Sequence, residues 1–522
     1  MPYITVRPEG VLKLLNNLNP RKAPGPDKIP NLVLKECATN LAPALATIFQ
    51  TSLDSGELPS DWRNANIASV FKKGDKHAAE NYRPISLTSV SCKLLEHIIC
   101  RNIMGHLERH GILTNLNHGF RSGYSCDSQL VTTSHDLLKS YENKRQVDVA
   151  ILDFSKAFDT VPHKRLLHKL HAYGIRGSLH NWLTNFLTQR KMSVVLEGET
   201  SDEATVDSGV PQGTCLGPIL FLCHINDLPD NVTSQVRLFA DDCLLYREIN
   251  TFQDHLNLQK DLHNLETWAS DWGMKFNAKK CYILSIQQSS HFLYTLCNTP
   301  LQQVSSSPYL GILFSNNLKW APHVASITKK ANSTLGFLRR NLQFFPQNCK
   351  RNAYLSLVRP LLEYGCITWS PYIQSDIDQI EKIQRLSARF ITNDYTSRTP
   401  GCVTNMLKTL ELPSLQQRRS DLRLTFLYKV VEGLVPAIPP ADFLTPNKPG
   451  RLIKPRKFSD HITTSAIPNY VRNNNRSFQV SNAKSEQFKN SFFVATVKDW
   501  NHLSDEVVTA PSVESFKARL PH

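Results

Sequence analysis

Residues 236–246 read VRLFADDCLLY. Two apolar, β-forming runs flank an acidic turn, Ala240-Asp241-Asp242-Cys243, so the pattern predicts a β-hairpin with carboxylates at its tip. Adjacent aspartates inside an apolar segment repel each other and are costly to desolvate. A divalent cation makes such a pair favourable, because hard oxygen ligands suit Mg²⁺. With 26 Asp in 522 residues, about one Asp-Asp dipeptide arises by chance, so the pair needs support elsewhere. Residues 147–159, VDVAILDFSKAFD, supply it: a strand-like run, Val149 to Leu152, ends on Asp153. A third carboxylate at that strand end, meeting the hairpin tip, would complete a site for two metal ions. Such a pair activates an attacking hydroxyl and stabilises a leaving phosphate oxygen.

Three segments now stand in order: AILDFSKAFDTVPH (150–163), SGVPQGTCLGPILFLCHINDLP (208–229) and LFADDCLLY (238–246). Their order and spacing resemble the reverse transcriptases of non-LTR (LINE-type, jockey-like) retrotransposons. The resemblance implies an α+β right-hand polymerase, with fingers, a palm built on an antiparallel sheet, a helical thumb and a mostly helical C-terminal region. It implies RNA-directed DNA synthesis, with Asp153, Asp241 and Asp242 holding two Mg²⁺ ions (Mn²⁺ as an alternative). The implied partners are an RNA template, a DNA primer, the RNA–DNA duplex they form, and dNTPs. Thr214, Cys215 and the pair Cys223-His224 depart from the residues more usual in the family.

Composition describes an ordinary globular protein. The chain is 41% hydrophobic and 20% charged, which excludes a disordered protein, and its net charge of +15 suits a polyanionic partner. Twelve cysteines occur without a C-x-x-C pair, so reduced thiols in nucleus or cytoplasm are expected rather than a disulfide framework or zinc knuckle. MPYITVRPEG carries no signal-peptide pattern, and the longest apolar stretch, Pro218 to Cys223, is too short to span a bilayer. No membrane partner is expected.

The expected organisation has four parts: residues 1–57 as an N-terminal extension of the fingers, 58–315 as fingers and palm, 316–395 as a helical thumb, and 396–522 as a basic, loop-rich and then helical C-terminal region. In the first, a short amphipathic helix at 11–19 precedes the rigid basic loop PRKAPGPDKIP. Met1 lies about twenty residues before that loop, whereas related elements carry an endonuclease upstream, so a truncated copy is expected. Neither an endonuclease nor an RNase H-like acidic set is recognisable.

Within the fingers, strand Ile67–Phe71, turn Lys72-Lys73-Gly74-Asp75 and strand start Arg83-Pro84-Ile85 make a basic hairpin. Guanidinium binds phosphate oxygens in a fork and lysine acts as a point charge, so Arg83 and Lys72 or Lys73 are candidate triphosphate ligands. The family resemblance adds Phe158 as the side chain under the incoming sugar, and Gln212 with Gly213 at the nucleotide. It adds Lys280 as proton donor to departing pyrophosphate. Tyr309 and Gly311 would form a hairpin that steadies the primer end. HGFRSGYS (118–125) offers Arg121 with two aromatics to a strand. From Lys319 to Pro360 there are eight Lys/Arg and no acid, with Lys329, Lys330, Arg339 and Arg340 off an apolar helical stripe, the pattern of a thumb along duplex phosphates. The His- and Lys-bearing helices of 162–190 read as solvated. Residues 443–480, with seven basic residues and one acid, read as a loop-rich extension. The alternative to a polymerase is a catalytically inactive or domesticated nucleic-acid-binding remnant. RNA-directed RNA synthesis is disfavoured by Phe158.

Overall fold

In chain order the strands that frame the site are β1 (Asn64–Phe71), β2 (Tyr82–Leu87), β3 (Gln146–Leu152), β4 (Arg190–Leu196), β5 (Glu199–Thr200), β6 (Ala204–Val206), β7 (Gln235–Phe239), β8 (Asp242–Ile249) and β9 (Tyr282–Ile286). They come from a computed structural model that describes residues 1–188, 190–447 and 474–521. Helices and two larger sheets are mixed throughout.

The central sheet runs β9–β3–β8–β7, antiparallel throughout, with Gln302–Gln303 added parallel to β9. Its alternation sorts side chains to two cores. Ala150, Leu152, Leu245 and Ile283 join a cluster with the N-terminal helices, while Val149, Leu244, Tyr246 and Leu284 join another with helices Ala321–Asn341 and Gln374–Thr392. Burial on both faces is why β3 reads as a continuous apolar run. Its one interior acid, Asp148, accepts from Gln146 Nε2 (3.0 Å) and Tyr294 Oη (2.8 Å), a satisfied core group.

The second sheet runs β2–β1–β4, with β5 and β6 both pairing with β4; β1 and β4 are parallel and the other pairs antiparallel. A third core, around Tyr428, Trp500 and Phe516, holds helices Leu415–Val431, Phe492–Trp500 and Val513–Arg519 together. Among the described residues, no helix is long and apolar enough to cross a membrane. Of the stretch expected to be loop-rich, 448–473 lie outside the described residues; Pro446 and Phe478 form an isolated antiparallel bridge.

The helices of 162–190 are less solvated than expected. Lys169 is buried, donates to the Asp227 carboxylate, and lies 3.6 Å from the Trp272 ring centroid. Burial lowers its pKa to about 8, with Asp227 opposing the shift. His163 is also buried, with Nε2 2.8 Å from Gly209 O. Both side chains anchor the helix to loops that approach the site.

Candidate active site

Strand β7 ends at Phe239 and β8 begins at Asp242, its cross-strand partner, so the chain reverses over Ala240 and Asp241. Ala240 takes φ +56°, left-handed space that favours glycine. Asn117 holds it there: its Oδ1 accepts from Ala240 N (3.2 Å) and Gly119 N (3.0 Å). A Cβ on Gly119 would come within 2.5 Å of Ala240 N, so only glycine admits this approach. The segment from Leu116 to His118 also exchanges backbone hydrogen bonds with Leu238. Asn117 escaped sequence reasoning because nothing local marks an asparagine as a buttress.

Leu152 pairs with Cys243, so Asp153 leaves β3 beside Asp242. Burial raises the pKa of both turn aspartates. Asp153 adds to the rise at Asp241, while Asp241 and Asp153 together help push Asp242 up to about 6. Asp242 is solvent-accessible yet walled in by protein, as at the base of a concave site. The charges of Lys72 and Arg83 oppose the rise at Asp241. Lys280 Nζ lies 3.7 Å from Asp153 Oδ2, and Asp153 O accepts from Asn277 N at 2.8 Å. Three mutually repelling carboxylates supply hard oxygen donors that fit a divalent cation. Among the described residues, no group of three or more acidic, His or Cys side chains stands in metal-holding geometry.

The basic hairpin forms as expected, and register separates its lysines. Val70 pairs with Arg83, and Lys72 N donates to Asn81 O (2.8 Å), so Lys72 and Arg83 share one face while Lys73 takes the other. The glycine-rich loop of 208–217 docks on this sheet: Ser86 N donates to Gln212 O (2.7 Å), and Gly213 adopts φ +97° against Ile85 and Ser86. Gln212 Nε2 donates to Asp159 Oδ1 (2.8 Å), which gives Asp159 a positioning task rather than a metal. Buried Glu96 accepts from the N–H groups of Cys215 and Leu216, fixing the loop where helix Leu216–Ile225 begins. Phe158 is half-buried, stacked on Phe221 (centroids 4.3 Å, 17°) and met edge-on by exposed Phe120 at 6.1 Å.

Three expected nucleic-acid contacts are corrected. Arg121 is 7% exposed; its Nε and Nη2 donate to Glu108 (both 3.0 Å), its Nη1 donates to Thr114 O (2.7 Å), and the guanidinium covers Tyr124. It closes the HGFRSGYS loop instead of facing a strand. Arg121→Met should therefore lower stability by about 1.5–3 kcal/mol in a denaturant titration, while the salt dependence of RNA binding stays unchanged. Tyr309 is likewise buried, with its hydroxyl accepting from Gln129 Nε2 at 3.1 Å. Gly311 does turn the hairpin of Ser306–Tyr309 and Ile312–Ser315 at φ +82°, packed under the Tyr364 ring, whose hydroxyl donates to Leu310 O. Lys329, Lys330 and Arg340 are exposed on helix Ala321–Asn341, but Arg339 donates to Leu386 O (3.1 Å) and is used in packing.

Asp153, Asp241 and Asp242 gather at the turn of an antiparallel sheet, beside a glycine-rich loop docked on the second sheet. Residues 71–314 match the family model described as reverse transcriptase (RNA-dependent DNA polymerase). The chain is 28% identical over 410 residues to a Drosophila melanogaster protein named "Probable RNA-directed DNA polymerase from transposon BS", covering 75% of this chain and 45% of that protein. It is 27% identical over 448 residues to the "RNA-directed DNA polymerase from mobile element jockey" of the same organism, covering 82% and 48%. The chain thus spans less than half the length of these relatives. Among solved structures, apo telomerase from Candida tropicalis overlaps at a TM-score of 0.41 with 11% identity, over 76% of this chain and 72% of that one.

Proposed function

We propose that the chain is an RNA-directed DNA polymerase in which a primer 3′-hydroxyl attacks the α-phosphate of a dNTP and pyrophosphate leaves. The observation that carries this reading is the meeting of Asp153 with the Asp241-Asp242 turn, opposite Lys72 and Arg83. The central sheet acts as palm, the β1–β2 hairpin as fingers and helix Ala321–Asn341 as thumb. Arg83 and Lys72 hold the triphosphate by charge-assisted hydrogen bonds. Phe158 lies beneath the sugar, and Gln212, fixed by Asp159, orients the nucleotide against the template. Lys280 donates a proton toward the departing pyrophosphate. Reverse transcriptase domains generally use divalent metals. Magnesium held by Asp153, Asp241 and Asp242 would supply charge stabilisation at the attacking and leaving oxygens. Primer extension on an RNA template with dNTPs tests the reading, and absence of synthesis with Mg²⁺ and with Mn²⁺ would favour a non-catalytic RNA-binding remnant.

The acid cluster also predicts a stability signature. Folded Asp242 keeps its proton up to about pH 6, held there by burial and by Asp241 and Asp153, whereas an unfolded aspartate loses it near about pH 4. Between those values the folded state binds more protons, so stability falls as pH rises from about 4 to 6. Thermal melts in EDTA should show that fall, and Asp242→Asn should flatten it. Millimolar Mg²⁺ at pH 7.5 should raise the Tm of the wild type but not of the variant. Equal Mg²⁺ shifts in both proteins would remove Asp242 from the metal site.

A further inference from the structure

Two adjacent residues, Tyr364 and Gly365, close on one turn from both sides. The hairpin of Ser306–Tyr309 and Ile312–Ser315 reverses over Leu310 and Gly311, and Leu310 takes φ +45°, left-handed space that a leucine rarely adopts. Tyr364 holds it there. Its hydroxyl donates to Leu310 O (3.0 Å), and its ring lies so close over Gly311 that a Cβ there would come within 2.9 Å of the ring. Gly365, at φ +61°, lies against Ile312, where a Cβ would come within 2.6 Å of the side chain. Tyr364 is 48% exposed, so little core is built on it and the turn is its main partner.

The clamp is anchored away from the central sheet. Trp369 is fully buried, its indole N–H donates to Tyr364 O (2.8 Å), and its ring meets that of His323 edge-on at 4.8 Å. His323 stands on helix Ala321–Asn341 and accepts at Nδ1 from Leu313 N (3.2 Å), so the same helix also holds the second strand of the hairpin. The hairpin in turn rests beside the acidic turn: Tyr309 and Phe314 line one small apolar cavity with Leu244, two residues along β8 from Asp242. Burial raises the Tyr364 phenol pKa above its ordinary value, with Cys126, Asp127 and Asp242 adding to the rise. One tyrosine thus ties the turn to a helix that lies outside the sheet carrying the carboxylates.

We propose that Tyr364 is a positioning residue for the primer 3′ end. By fixing the Leu310–Gly311 turn it couples the hairpin to helix Ala321–Asn341, so a duplex seated against that helix sets where the primer hydroxyl stands relative to Asp242. The assignment rests on the polymerase reading, in which this hairpin steadies the primer and this helix is the thumb. Its test compares wild type, Tyr364→Phe and Tyr364→Ala in single-turnover primer extension, with duplex Kd, dNTP KM and Tm measured on the same proteins. Tyr364→Phe keeps the ring on Gly311 and loses only the hydrogen bond to Leu310, so the incorporation rate should fall about fivefold. Tyr364→Ala frees the turn, and the rate should fall about a hundredfold, the size of loss that a misplacement of about 1 Å produces. In Tyr364→Phe the duplex Kd, the dNTP KM and the Tm should stay at their wild-type values. A rate loss in Tyr364→Phe matched by weaker duplex binding would make the residue a nucleic-acid contact and overturn the proposal. A rate loss matched by a lowered Tm would make it a packing residue and also overturn it. Should Tyr364→Ala fail to fold, the Tyr364→Phe measurements decide alone. An active wild type with Tyr364→Phe equally fast overturns this proposal and leaves the polymerase reading standing. A wild type that extends no primer overturns both.

Discussion

Primer extension on an RNA template should fall by at least about 10²–10³ when Asp241 becomes Asn, the size of loss seen when one preorganised electrostatic stabiliser is removed. Asn is nearly isosteric and leaves the Ala240–Asp241 reversal intact, because the left-handed residue of that turn is Ala240 and its support comes from Asn117. Folding should not suffer. The Asp241 carboxyl is disfavoured by burial and by Asp153, so replacing it with an amide should hold or raise the Tm in EDTA. Activity and stability therefore move in opposite directions if the carboxylate serves catalysis. They fall together if it is a structural group. An Asn variant that extends primers at the wild-type rate would end the assignment of this turn as the catalytic centre.

Phe158→Ala carries the second large effect, in the choice of sugar. A ribonucleotide's 2′-hydroxyl would meet the phenyl ring, overlapping it and losing water without gaining a partner. An unmet polar group costs about 1–3 kcal/mol, or roughly tenfold to more than a hundredfold in discrimination, before overlap is counted. Phe158 is only half-buried, yet it is stacked on Phe221 and bridged through Phe120 to the loop that supports the acidic turn. Truncation will therefore cost some stability and some rate with every substrate. The decisive quantity is the ratio of kcat/KM for a dNTP to that for the matching NTP. That ratio should drop at least tenfold in the variant, and a ratio equal to wild type would make Phe158 a packing residue alone.

The acidic region was readable because its signals are local. Period-two alternation in VDVAIL and CLLYREI sets which faces are buried, and the apolar–acid–apolar pattern sets the turn. The acids at 153, 241 and 242 meet because β3 and β8 pair with Leu152 opposite Cys243, an antiparallel arrangement that their chain order suggested. The basic hairpin was readable as two strands around a Lys-Lys-Gly-Asp turn, but such a turn is by itself usually just solvated, and its assignment to a triphosphate came from the family resemblance.

The fate of each cation was decided elsewhere in the fold. Sequence left Lys72 and Lys73 equivalent, and only the register of β1 against β2 put Lys72 on the face of Arg83. Arg121 read as a strand contact until Glu108 and Thr114 took up its donors; Lys169 read as solvated until Asp227 and Trp272 enclosed it. Arg190 sat unnoticed at the end of a helical stretch, although it opens β4 as a buried side chain. The sequence by itself determined the strands, the acidic turn and the order of the polymerase segments, because periodicity and turn chemistry act over a few neighbouring residues. Which cations face solvent and which are consumed by packing depended on partners brought together by tertiary structure, since charge pairing is fixed by distance in space and not along the chain.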